Sequence, residues 1–188
     1  MNQIPSKRRF LIRQFAEFSI SCAKPGYYDD NPIFDFESKE FDLEVTKKMK
    51  NDIRNFLLEY YADLAGNHVS EEDHKKRLRS LSTVISRRYK CILYERRYRL
   101  GIAQKVVNTF LKLLWSADLI NTPHHCPFDN KVKRKIEKFS EEGYLCCWTD
   151  FTSMKEYENY VSAARIAAAK EVLSIADWDL THFINVCI

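Results

Sequence analysis

Apolar residues recur at three- and four-residue steps along almost the whole chain, the spacing that lines one face of an α-helix. Val45, Met49, Ile53, Phe56, Leu57, Tyr60, Tyr61 and Leu64 form the longest such series, and Leu78, Leu81, Ile85, Tyr89 and Ile92 form another. Only 4 of the 188 residues are Gly and 5 are Pro. A turn-rich all-β fold needs more of both. The pattern predicts an all-α fold of about seven helices in one compact globule. They fall near residues 6–21, 44–65, 71–98, 102–117, 130–139, 153–173 and 178–186. Ser70-Glu71-Glu72-Asp73 and Ser153-Met154-Lys155-Glu156 have the form of capping boxes at two of the starts. Hydrophobic residues make up 45%, enough to bury a core.

No repeat and no interdomain linker breaks the chain. The expectation is one helical domain over residues 1–188, or two helical halves sharing a cleft near residues 100–130. Trp115, Phe110 and Leu114 belong to the predicted core. Tyr27, Tyr28, Phe34 and Phe36 lie in an acidic, aromatic loop, where they pack over a helix end or touch a partner. A short extended stretch is expected at Tyr144–Trp148. No apolar run reaches the roughly 18 residues of a membrane span. Met1–Phe10 is charged without a following apolar region, so no signal peptide is expected. The six Cys then read as reduced thiols in a cytoplasmic protein.

The formal net charge is only +4, but charge is segregated. Between His74 and Lys105 there are eleven basic residues and one acid, Glu95, a net of +10. Residues 29–63 carry ten acids and five bases, and residues 139–188 carry eight acids and three bases, so each is −5. Dense positive charge suits a polyanion, because binding phosphates releases condensed counterions. The alternative is a solvated basic helix.

Within the basic region, Leu100-Gly101-Ile102-Ala103-Gln104-Lys105-Val106-Val107 places a Gly and then a Lys where one helix gives way to the next. Downstream, Cys126-Pro127-Phe128-Asp129-Asn130-Lys131-Val132 closes a loop, with Asp129 placed to cap the following helix. These two segments resemble the helix-hairpin-helix DNA glycosylase superfamily, the group of endonuclease III and the 8-oxoguanine glycosylases. The resemblance covers about residues 100–132. It departs from the family pattern in lacking the hairpin Pro, in having Ala103 for the second Gly, and in a longer gap between Lys105 and Asp129.

The resemblance implies a helix-hairpin-helix near residues 78–117 and a DNA repair hydrolase of the glycosylase/lyase type acting on duplex DNA, with no cofactor. It makes Lys105 and Asp129 the catalytic pair. Arg96, Arg97, Arg99, Gly101 and Gln104 would contact the nucleic acid. His125, Phe128 and Trp148, with His124 nearby, would form the pocket for an extruded base. The chemistry suits the residue types. A neutral Lys amine can attack the anomeric carbon, and a helix start with neighbouring arginines disfavours the charged ammonium. Asp129 can take its proton and offset positive charge developing on the sugar.

Blander readings stand beside this. Lys105 is also an ordinary helix Lys, and Asp129 also a plain cap. His124-His125-Cys126 with Cys146-Cys147 lacks the spacing of structural zinc, so no metal is expected. Cys126 beside a His is a weaker nucleophile candidate. The chain has no phosphate-binding G-x-x-x-x-G-K-[ST] loop, no G-x-G-x-x-G and no G-x-S-x-G. The competing function is a non-catalytic helical module that binds nucleic acid or protein, such as a phage or defence accessory protein.

Overall fold

The computed structural model describes residues 5–23, 43–66, 69–151 and 153–184. Tyr27, Tyr28, Phe34 and Phe36 lie outside them. Among the described residues all regular secondary structure is helical, with no strand. The seven α-helices are α1 (Ser6–Cys22), α2 (Leu43–Gly66), α3 (Glu71–Tyr89), α4 (Leu100–Ser116), α5 (Asn130–Ile136), α6 (Met154–Ala169) and α7 (Ile175–Ile184). No described helix is long and apolar enough to cross a membrane.

Helix α4 sits at the centre and packs against α1, α3 and α6. Leu100, Ile102, Ala103, Val106, Val107, Phe110, Leu111 and Leu114 are all buried there. In α6 the buried side chains include Ala163, Ala164, Ala167 and Ala168, small groups that let neighbouring elements approach closely. Trp115, expected in this core, is only partly buried.

The caps follow their sequences. Ser70 Oγ accepts from the Asp73 N–H, and Ser153 with Glu156 forms a reciprocal capping box. At α7, Ser174 Oγ accepts from the Asp177 N–H at 3.0 Å. The helix therefore starts at residue 175 rather than near 178.

Two elements are shorter than their periodicity suggests. The stripe of α3 continues to Ile92, yet the helix stops at Tyr89. Ile92, Leu93 and Tyr98 are all buried, which a single helical face could not achieve. Ser82 Oγ donates to the Tyr98 carbonyl at 2.6 Å, and the Tyr98 N–H donates to Ser86 Oγ at 2.8 Å. Two hydroxyls one turn apart thus satisfy the returning backbone. Glu95 and Arg96 make the reversal in the left-handed region, at φ 50 and 58°. Helix α6 stops at Ala169, where the exposed Val172 takes φ 58°. Tyr144–Cys147 is irregular rather than extended strand.

Candidate functional site

Gly101 is not the turn between two helices. It is the second residue of α4, buried, with its N–H donating to the Phe151 carbonyl at 3.1 Å. A Cβ at this position would lie 1.6 Å from the Trp148 carbonyl oxygen. The glycine is required by that close approach, and its backbone is not open to a phosphate.

Because α4 starts at Leu100, Lys105 falls in its second turn. The terminal dipole, which fades within the first turn, is not the dominant influence there. One turn of side chains does set its surroundings. Gln104 is fully buried and pairs with the Phe128 backbone in both directions. Its Nε2 donates to the Phe128 carbonyl at 2.7 Å and its Oε1 accepts from the Phe128 N–H at 3.1 Å. Four residues on, Asn108 Nδ2 donates to the Cys126 carbonyl at 2.9 Å. These two amides fasten the loop before α5 to α4. The loop's next residue, Asp129, is thereby carried to Lys105.

Lys105 Nζ donates to Asp129 Oδ2 at 2.6 Å. The other carboxylate oxygen, Oδ1, accepts from the N–H groups of Lys131 and Val132 at 2.8 and 3.0 Å, capping α5. Burial alone would raise the Asp129 carboxyl. Lys105 and the two N–H groups outweigh it and hold the group below the usual carboxylate range.

The pair lines a cavity of about 340 Å³ between α1, α4, α5 and α7. Phe18, Leu113, Val132, Trp178 and Phe183 supply its apolar walls. A second ion pair lies in the same wall, Lys112 Nζ to Asp179 Oδ2 at 2.7 Å. Burial raises the Asp179 carboxyl despite Lys112. Two carboxylates in one cavity are therefore pushed in opposite directions.

No protein-family model, curated protein or solved structure matches this chain. The site stands on its own geometry.

Several expected site residues are elsewhere. His125, Phe128 and Trp148 do not line the cavity; they are buried in the core. Phe128 packs on Tyr157 and Tyr160. His125 belongs to a buried polar chain. Its Nδ1 meets Tyr157 Oη at 2.8 Å, its Nε2 meets Glu71 Oε1 at 3.1 Å, and Tyr157 Oη reaches His74 Nε2 at 3.4 Å. His74 Nδ1 continues to Tyr60 Oη at 3.0 Å. Burial holds His125 near pKa 4 against the opposing pull of Glu71, and holds His74 well below the ordinary imidazole value.

Arg99 is also buried, paired with Glu95 and close to Asp150, so its guanidinium is committed within the protein. Gln104 is occupied by Phe128. Arg96 and Arg97 are exposed. Of the eleven basic residues in the +10 stretch, Arg79, Arg87, Lys90, Arg96 and Arg97 have no carboxylate partner among the described residues. The others are neutralised, as in Arg77–Asp63 and Arg88–Asp52.

The zinc alternative is not assembled. Among the described residues, no group of three or more His, Cys, Asp or Glu side chains is placed to hold a metal ion. His124 Nε2 lies 2.9 Å from the Val69 carbonyl, and Cys126 is fully buried.

Asn108, Lys112, Trp178 and Asp179 shape the site but were not singled out from the sequence. Lys112 lies seven residues after Lys105, on the same helical face, and that spacing was a readable signal. Trp178 and Asp179 come from a distant helix and carried none.

Proposed function

We propose that this protein is a nucleic-acid-binding enzyme of the base-excising glycosylase/lyase type, with Lys105 as nucleophile and Asp129 as its proton acceptor. The observation that carries the reading is the 2.6 Å contact between the two groups in the wall of a cavity with apolar sides. The resemblance of residues 100–132 to the helix-hairpin-helix glycosylases supports it, as does the exposed basic charge.

In this scheme the ammonium proton of Lys105 passes to Asp129. The freed amine attacks C1′ of the nucleoside, forming an N–C bond as the glycosidic bond breaks. The bonding electrons leave with the base, which takes up the proton held by Asp129. A second amine proton then passes to O4′ as the C1′–O4′ bond breaks, which opens the ring to a 4′-hydroxyl and leaves a protonated imine between Lys105 and C1′. The capping N–H groups fix the carboxylate's position throughout, so the acceptor needs no reorganisation. The apolar walls at Trp178 and Phe183 replace His125, Phe128 and Trp148 as the surface for an extruded base.

Single-turnover excision on duplexes carrying oxidised, deaminated or alkylated bases tests this. Asp129→Asn keeps a capping oxygen and should slow excision by a factor of about 10² or more. Equal rates for both proteins would remove Asp129 from the chemistry.

The second reading is a non-catalytic helical binding module. It is favoured by one observation: Lys105 is already engaged in an ion pair, which suffices as a structural tie between α4 and α5. Binding without excision of any base would select it.

A further inference from the structure

The cavity holding Lys105 and Asp129 is flanked by a second depression, which shares Lys135, Trp178 and His182 with it. Arg134, Lys135, Lys138 and Lys170 ring this depression, and Phe139 and Trp178 give it an apolar floor. None of the four cations has a carboxylate partner among the described residues. Lys138 and Lys170 rest their ammonium groups over the Phe139 ring, 5.0 and 4.4 Å from its centroid. Lys135 Nζ points at the His182 carbonyl, 3.4 Å away. The one acid of the depression, Glu171, is taken up by Trp178 Nε1 at 2.9 Å and faces His182 Nε2 at 3.4 Å.

We infer that this flank of α5, α6 and α7 is the track along which a duplex DNA backbone reaches the cavity. The inference rests on the nucleic-acid reading above, but not on its chemistry. With Glu171 engaged by Trp178 and His182, the four cations leave the depression with a net positive charge that a bound anion would offset. Lys138 and Lys170 hold their ammonium groups over the Phe139 ring and Lys135 donates to the His182 carbonyl, contacts that restrict these charges and lower the entropy lost on binding. Phosphates, repeated along the backbone, are the anions that several fixed cations engage together. The +10 stretch is less suited to the role, since six of its eleven cations are already neutralised within the protein. The α5–α7 flank directly adjoins the Lys105–Asp129 cavity, sharing Lys135, Trp178 and His182 with it.

The test is binding of a 20-base-pair duplex, followed by fluorescence anisotropy from 50 to 200 mM KCl. Three proteins are compared: the parent chain, Lys138→Ala with Lys170→Ala, and Arg96→Ala with Arg97→Ala. All four changed side chains are exposed, and circular dichroism verifies that the helices are retained. The track predicts at least a tenfold loss of affinity at 100 mM KCl for the Lys138/Lys170 variant. Its slope of log K against log salt should be shallower by about 2, near 0.9 per phosphate contact. The Arg96/Arg97 variant should change less than threefold. The reverse ranking would overturn the track and move the DNA to the loop after α3. Absence of binding by the parent chain would overturn both the track and the nucleic-acid reading. Binding along this track without base excision would leave the track standing and remove the enzyme.

Discussion

Lys105 and Asp129 are 24 residues apart in the chain and 2.6 Å apart in space. What closes that distance is not the pair itself. Gln104 and Asn108, one turn apart on α4, hold the backbone of Phe128 and Cys126. The loop is thus clamped immediately before Asp129, and the carboxylate is delivered in a fixed place.

Breaking the ion pair and breaking the cap should be separable in urea unfolding. Asp129→Asn removes the negative charge facing a largely buried Lys105 and should cost about 1–2 kcal/mol, between surface and buried pairs. Asp129→Ala also loses the cap and should cost about 1 kcal/mol more. Equal stability of the two variants would show that Asp129 does not cap α5.

The loop clamp should be worth more than the pair it positions. Gln104→Leu has similar volume but leaves the buried Phe128 N–H and carbonyl without partners. At roughly 1–3 kcal/mol for each unsatisfied group, a loss of about 2–4 kcal/mol is expected. A change below 1 kcal/mol in the same unfolding measurement would contradict the clamp.

Gly101→Ala should be poorly tolerated although Ala is the better helix former. The added Cβ meets the Trp148 backbone carbonyl rather than a side chain that could swing away. Overpacking of this kind costs about 1–3 kcal/mol. A lowered melting temperature is the expected readout, and a raised one would mean that the α4 start and the Trp148 backbone are not in contact.

Acid should weaken the fold well before the carboxylates titrate. His125 binds its proton near pH 4 in the folded chain and near 6.5 when unfolded. Between those values the unfolded state holds more protons, so stability falls as pH drops through the window, by up to about 3 kcal/mol for this group alone. His74, lowered in the same direction by burial, adds to the loss. Melting temperatures from pH 7 to 4.5 test this. His125→Asn should flatten the profile, and a parent profile that is already flat would contradict neutral buried imidazoles.

The helices were legible because their apolar residues repeat with the helical period. Ends set by local chemistry were legible too, as at Ser70 and Ser153. Ends set by tertiary packing were not. The stop at Tyr89 depends on Ser82 and Ser86 receiving Tyr98, which no local pattern reveals. The proximity of Lys105 and Asp129 could be read from one helix and one returning loop. The burial of Arg99, Gln104, His125, Phe128 and Trp148 could not, because polar and aromatic residue types serve equally in a core network and at an open surface. The +10 charge was visible, but its neutralisation by Asp52, Asp63 and Glu158 arises from other helices.

The central claim is that Lys105 acts as a nucleophile, and borohydride trapping tests it most directly. A duplex bearing an abasic site or a damaged base is incubated with the protein and sodium borohydride, which reduces an imine to a stable amine. A covalent protein–DNA adduct should form with the parent chain, mapping by peptide mass to Lys105. It should disappear in Lys105→Gln, with helicity retained and duplex binding still measurable. No adduct with the parent chain, or an undiminished adduct in Lys105→Gln, would contradict the claim.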